Sequence, residues 1–255
     1  MLVIVLFVLF AIGAFSDLLF LCYLVIAAAI GLFIGNIVYK KAYRKKITPT
    51  MHFIISCCNL TNRWSGCDEP EIGGIEKSIR NRYRMKGALR GPWRIKNRKK
   101  FNETIKWLQE EGHNKECMDD LNKLRTNPEQ VANQEALNLI ADRYPQCGII
   151  AWDMCRLCNV ATWGTIAGYM SYEDAIKVCV QAGKNMQKYF SSWDEMIDNY
   201  LAGYLYWSGD KQQMTVRKNL FVGQKEEKKL PLYKVDFNTP LDEKDVIKQR
   251  WNLFL

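Results

Sequence analysis

Hydrophobic and polar positions follow two regimes along this chain. Residues 1–39 are apolar at nearly every position, with Asp17 the single charge, and the run stops at Lys40, Lys41, Arg44, Lys45 and Lys46. Beyond it, apolar residues recur every three or four positions between capping and turn residues, which is the period of a helix. One helix over the first run would be close to twice the roughly 30 Å hydrocarbon thickness of a bilayer. Asp17, following Ser16, is therefore expected to divide it into a short arm, 1–15, and a span, 18–39. The result would be one transmembrane helix with an interfacial lead-in, or a helical hairpin. No basic n-region precedes the run and no A-x-A-like cleavage site follows Asp17, so a secretory signal fits less well.

A polar, basic linker is expected over 40–70. After it, Asn97 can cap a helix in which Phe101, Ile105 and Leu108 share a face, with Gly112 at its end. Lys115–Arg125 continues the pattern. Asn127-Pro128-Glu129-Gln130 supplies a cap, a proline at the first helical position and a reciprocal Gln, which predicts a helix to about Arg143. Ala151–Tyr169 is the densest segment, with Trp152, Asn159, Trp163, Ile166 and Met170 on one stripe. Ser171 then caps a helix to about Tyr189, and Ser192-Trp193-Asp194-Glu195 opens another through Trp207, stopped by Gly209. From 211 to 255 a tail alternates charge with short apolar pieces, and Tyr233–Phe237 reads as a strand. The predicted fold class is all-α: a membrane segment followed by a compact cytoplasmic multi-helix domain over 71–210, on which the tail 211–255 packs or which it extends.

Charge refines the picture. The net charge of +9 is carried by residues 40–100, with seventeen Lys/Arg against four Asp/Glu, whereas 101–255 hold nineteen against twenty-two. Basic residues directly after a span stay on the cytoplasmic side, which predicts an inner-membrane protein with the bulk of the chain in the cytoplasm. Nine cysteines at irregular positions agree with a reducing compartment. Between Lys77 and Lys100 there are eleven basic residues and no acid. Arg80, Arg82, Arg84, Lys86, Arg90, Arg94, Lys96, Arg98, Lys99 and Lys100 are the candidates for lipid or phosphate contact, since each Lys/Arg near an anionic leaflet gains about 1 kcal/mol. The same stretch could instead be a plain solvated face or, as the least favoured reading, neutralise nucleic-acid phosphates.

Chemistry-bearing motifs are sparse. Cys155-x-x-Cys158 lacks the second pair of ligands that zinc needs and the strand-to-helix setting of a redox pair, so it reads as packing. Only His52 and His113 could serve as imidazole bases, and His113 lies at a helix boundary. Asp153 and Arg156, three apart on one helix face beside Trp152, can pair and either organise a core or line a polar pocket. No metal site and no cofactor is expected.

Three ordered blocks carry a resemblance. Gly91-Pro92-Trp93-Arg94-Ile95 with Trp107-Leu108-x-x-Glu111-Gly112-His113 form the first. The second is Ala151-Trp152-Asp153-Met154-Cys155-Arg156 with Asn159, Trp163-Gly164 and Ala167-Gly168-Tyr169. The third is Phe190-Ser191-Ser192-Trp193 followed by Tyr200, Gly203 and Trp207. Together they resemble a bacterial family catalogued as "domain of unknown function 1266" over about residues 85–207. The resemblance implies a helical bacterial domain and supplies no activity. The residue before Trp163, usually basic in that family, is Thr162 here, so no polar role of that position carries over.

The candidates for a pocket or core motif are His113, Trp152, Asp153, Arg156, Trp163, Tyr169, Trp193, Tyr200 and Trp207. The sequence reads as a membrane-anchored cytoplasmic domain for binding or scaffolding, with the membrane, anionic lipid head groups and an unidentified protein as partners. The alternatives are an enzyme, a hydrolase or toxin-like effector, built around His113, Asp153 and Arg156, and a nucleic-acid binder using 77–100.

Overall fold

The computed structural model describes residues 2–44, 46–67, 69–227 and 232–246, and every regular element among them is helical. The chain divides into two units, Met1–Lys46 and Ile47–Leu255.

The first unit is one helix, α1 (Leu2–Arg44), which continues through Asp17 without a break. The expected division at Asp17 is thus corrected. A single Asp removes no backbone donor and costs a helix only tenths of a kcal/mol relative to its neighbours, unlike Pro. The stretch Asp17–Ala42 has a mean hydropathy of 2.7 over its most apolar window and none of that window is buried. It is long and apolar enough to cross a membrane.

The second unit is built around α7 (Ile150–Ala167), in which every residue from Ala151 to Ala167 except Arg156 is buried. A helix apolar on all sides belongs inside a fold rather than on its surface. Packed against it are α2 (Pro49–Trp64), α3 (Ile79–Arg90), α4 (Arg98–Glu110), α5 (Gly112–Thr126), α8 (Tyr172–Met186) and α9 (Trp193–Ser208). Close approach depends on small residues: a Cβ on Gly164 would overlap the Phe101 ring of α4. Completing the unit, α6 (Gln134–Arg143) packs on α5 and α9, and α10 (Lys211–Glu226) on α9 and α2.

Local signals set several boundaries. Asn97, Ser171 and Ser192 each accept the backbone N–H three residues on, from Lys100, Asp174 and Glu195, at 2.9, 3.0 and 3.2 Å. Elsewhere tertiary contacts override the local pattern. The expected linker over 40–70 contains α2, started by Thr48, whose hydroxyl accepts from Met51 N–H, and by Pro49. Its polar residues point into the core: Asn62 Oδ1 accepts from Asn159 Nδ2 at 2.9 Å and from Trp163 Nε1 at 3.0 Å. The helix predicted from Pro128 is interrupted. Pro128–Gln130 is a 3-10 turn, and Asn133 adopts φ 56° before α6, its amide donating to Tyr206 O at 2.8 Å instead of capping.

The tail also differs from expectation. Its first part is α10, whose Arg217 guanidinium lies between the rings of Trp64 and Tyr204, 4.6 and 4.4 Å from their centroids. Tyr233–Phe237 is irregular, not a strand, because side chains rather than a neighbouring strand take its backbone groups. Trp193 Nε1 donates to Val235 O at 2.7 Å, Gln187 Nε2 donates to Phe237 O and Thr239 O, and Ser56 Oγ accepts from Tyr233 N–H. Residues 228–231 and 247–255 of the expected tail lie outside the described residues.

Candidate functional site

The starts of α5 and α7 lack a capping side chain of their own. Each takes one from the other. Asp153, in the first turn of α7, accepts the N–H of Asn114 on Oδ2 at 2.7 Å, and the His113 amide also donates to its carboxylate. In return Asn114 Oδ1 accepts the N–H of Ile149 at 2.6 Å, just ahead of α7. Asn199 of α9 completes the arrangement, its Oδ1 accepting from Ala151 N–H at 3.0 Å and its Nδ2 donating to Gly148 O at 2.7 Å. Helix starts leave up to four amides unpaired and carry a partial positive charge, so a carboxylate is the matching group for α5.

Gly112 permits this approach. It has φ 59°, and a Cβ there would overlap the Asp153 carboxylate. Rather than simply ending α4, this glycine opens α5 under the acid.

Arg156 ties the clasp to the α3–α4 loop. Its Nη1 lies 3.5 Å from Asp153 Oδ1, and its guanidinium is sandwiched between Trp93 and Trp152, 4.5 and 4.9 Å from the ring centroids. Stacking on indole at a desolvated site contributes about 2 kcal/mol or more. Burial pushes the Asp153 carboxyl up to about 6, against the pull of the Asn114 amide and Arg156, and burial also lowers Arg156. His113 meets Trp107 edge-on at 5.1 Å and is pushed down to about 4, by burial first and by the Arg156 charge second. His113 lines a groove of about 400 Å³ together with Glu111, Glu116, Asp119 and Asp120, whose lining includes neither Asp153 nor Arg156.

The nine candidate residues therefore occupy separate places. His113, Asp153, Arg156, Trp152, Tyr200 and Trp207 are contiguous, Trp152 lying 5.1 Å from Tyr200 and 5.8 Å from Trp207 between ring centroids. Trp163 instead faces α2 through Asn62. Tyr169 packs on Phe101 and under Lys86, and Trp193 packs on Phe53, Tyr233 and Phe237. Thr162 is fully buried and donates back to Cys158 O at 2.8 Å.

The basic stretch is also divided. Arg82 Nε donates to Ala167 O at 3.4 Å and Arg98 Nη2 to Gly168 O at 3.2 Å, so both neutralise the carbonyl end of α7. Arg84 Nη2 does the same for α2, through Ser65 O and Gly66 O. Lys86 lies over Tyr83 and Tyr169. Arg80, Arg90, Arg94, Lys96, Lys99 and Lys100 remain exposed. Of these, Arg90, Arg94, Lys96 and Lys100, with Asn97, line a recess of about 540 Å³ between α3 and α4.

Sequence reasoning missed Asn62, Asn114 and Asn199, lone amides whose partners lie 35–101 residues away. It also passed over Glu69, Glu71 and Glu76, which bring carboxylate oxygens within 4.8 Å of one another. These three have further interactions within the protein. Cys57, Cys58, Cys155, Cys158 and Cys179 are all buried as free thiols. Burial pushes the Cys57 and Cys58 thiols well up, and the Cys158 thiol is raised first by its hydrogen bond with Cys179. Such thiols are poor nucleophiles.

Compared with known proteins, residues 88–230 match the model of a family described as "Protein of unknown function (DUF1266)". No curated protein matches, and no solved structure matches.

Proposed function

Since the chain belongs to the DUF1266 family, whose description carries no activity, we propose from its own physical chemistry that it is a membrane-tethered binding domain. In this reading α1 crosses the bilayer and α2–α10 form a cytoplasmic unit that presents a basic surface to ligands or partners. The observation that carries it is Asp17–Ala42, an apolar helical stretch of 26 residues with none of its most apolar window buried. Left in water, each large side chain of that stretch would forgo about 1.5–3 kcal/mol of transfer free energy. Lys40 and Lys41 at its end, with Arg44, Lys45 and Lys46 next in the chain, favour the cytoplasmic side for the second unit.

Binding rather than catalysis is the reading because the most chemistry-bearing residues of the family blocks already have structural work. Asp153 caps α5, and Arg156 is stacked between two indoles. The exposed Arg80, Arg90, Arg94, Lys96 and Lys99 supply attraction to an anionic leaflet of about 1 kcal/mol each, screened by salt.

The test is topological. The full chain should stay with membranes through alkaline carbonate extraction, and a reporter fused after Leu255 should be active only as a cytoplasmic one. Activity of an export-dependent reporter at that position, or release by carbonate, would refute the reading.

A further inference from the structure

The recess between α3 and α4 is formed by a loop pinned on both sides. Ile95 is fully buried and its N–H donates to Leu89 O at 3.0 Å, while Trp93 stacks on Arg156. Between these anchors Arg94 adopts φ 54°, a left-handed conformation that L side chains rarely take. The anchors hold it there, and its side chain lines the recess beside Arg90, Lys96, Asn97 and Lys100. Four of the five lining residues are cations, and none is an acid.

These cations are poorly compensated. Lys100 bonds Glu103 at 3.1 Å, but among the described residues Arg90, Arg94 and Lys96 pair with no carboxylate. The start of α4 adds to the field. Its first turn reads Arg98-Lys99-Lys100 and holds no acid, whereas α8 and α9 begin with Glu173, Asp174 and Asp194, Glu195. Positive side chains there oppose the helix dipole. The Asn97 side chain takes the Lys100 amide and the Asn97 carbonyl takes that of Phe101, while the Arg98 and Lys99 amides have no protein acceptor among the described residues. Like charges drawn around one concavity call for an anion.

We propose that this recess binds a phosphomonoester, carried either by a small soluble molecule or by a phosphorylated lipid head group. A phosphomonoester brings close to two negative charges and three acceptor oxygens to one point, which suits converging Arg forks and Lys ammoniums. A phosphodiester backbone presents single charges in a line and would need a track rather than a recess. The inference gives the binding reading a ligand class and does not depend on α1 crossing a membrane.

The test uses the full chain in neutral detergent micelles, titrated calorimetrically with inorganic phosphate and with inositol 1,4-bisphosphate. In parallel, the chain is reconstituted in neutral bilayers and assayed for capture of phosphatidylinositol 4-phosphate vesicles against phosphatidylserine vesicles of equal total charge. The double variant Arg94→Gln/Lys96→Gln is compared with Lys177→Gln/Lys188→Gln, which removes the same charge from exposed positions on and after α8, each checked for an unchanged melting curve. Saturable binding weakened at least tenfold by the first pair and less than twofold by the second supports the site. Loss in the soluble titrations alone assigns a free phosphorylated molecule, and loss that includes preferential capture of the phosphoinositide vesicles assigns a lipid. Absence of saturable binding to any probe, or equal loss in both pairs, overturns the proposal. Because neither pair alters α1, carbonate extraction and reporter topology separate this failure from a failure of the membrane reading.

Discussion

Replacing Gly112 with Ala tests the clasp at its tightest point. Two costs combine. An L-residue at φ 59° is strained by about 1–2 kcal/mol, and the new Cβ overlaps the Asp153 carboxylate, which must move off the Asn114 amide it accepts at 2.7 Å. A hydrogen bond to a charged group contributes about 1.5–3 kcal/mol. The expected loss is therefore about 3–5 kcal/mol, or roughly 10 °C in the melting temperature of a unit of this size. Gly87→Ala is the control: that glycine lies inside α3, its Cβ would meet nothing within 4 Å, and the change should stabilise by about 0.5–1 kcal/mol. Tryptophan fluorescence of the full chain in detergent reads the right unit, since all eight tryptophans lie at or beyond residue 64. Hydrogen exchange supplies a second readout, with the His113 and Asn114 amides losing protection before the rest of α5. A loss below about 1 kcal/mol for Gly112→Ala, with both amides still protected, would refute the clasp.

Asp153→Asn should change the pH profile of stability. With the carboxyl pushed from 3.8 to about 6, the folded protein holds this proton more tightly than the unfolded chain does, so its contribution is complete below about pH 4 and falls by about 3 kcal/mol as pH rises to 6. His113, pushed down to about 4, acts with the opposite sign up to its ordinary 6.5. The variant should therefore gain stability from pH 4 to 6.5 in urea titrations, and a profile parallel to that of the parent protein would refute the assignment. Cys57 and Cys58 should resist iodoacetamide at pH 8 until urea unfolds the protein, read by mass spectrometry; rapid labelling of the native protein would contradict their burial and raised thiols. Gln187→Ala removes both side-chain bonds to the tail at 2.7 and 2.9 Å. It should speed limited proteolysis within 232–246 by about tenfold, corresponding to about 1.4 kcal/mol of local stability, and an unchanged rate would show that Trp193 and Phe237 hold the tail unaided.

What the sequence revealed depended on how far each residue had to reach. Asn97, Ser171 and Ser192 act over three residues, so their helices could be read from local pattern. The helix α2 could not, because Ser56 and Asn62 are polar yet buried, with partners in the tail and on α7. α10 was hidden for the opposite reason: it buries only Phe221 and Gln224, and its other contacts are the stacking of Arg217 on Trp64 and Tyr204 and exposed ion pairs such as Lys225–Asp194 at 2.7 Å. At the site, the adjacency of Asp153 and Arg156 was visible as a three-residue spacing. That Asp153 caps a helix 39 residues earlier was not, nor that Arg82, Arg84 and Arg98 serve helix ends while Arg90, Arg94 and Lys96 remain available.

The distance between α2 and its partners also sets a timetable during synthesis. Asn62 waits for Asn159, 97 residues later, and Thr50 waits for Asp242, 192 residues later. At about 5–20 residues per second these intervals are roughly 5–20 s and 10–40 s. Throughout the first interval Cys57 and Cys58 have no α7 to cover them, although both end as core against it. Their thiols, inert once enclosed, are open to oxidants and electrophiles only in that interval. Damage to this core would thus be fixed by conditions at the ribosome, and the age of the folded protein would matter little.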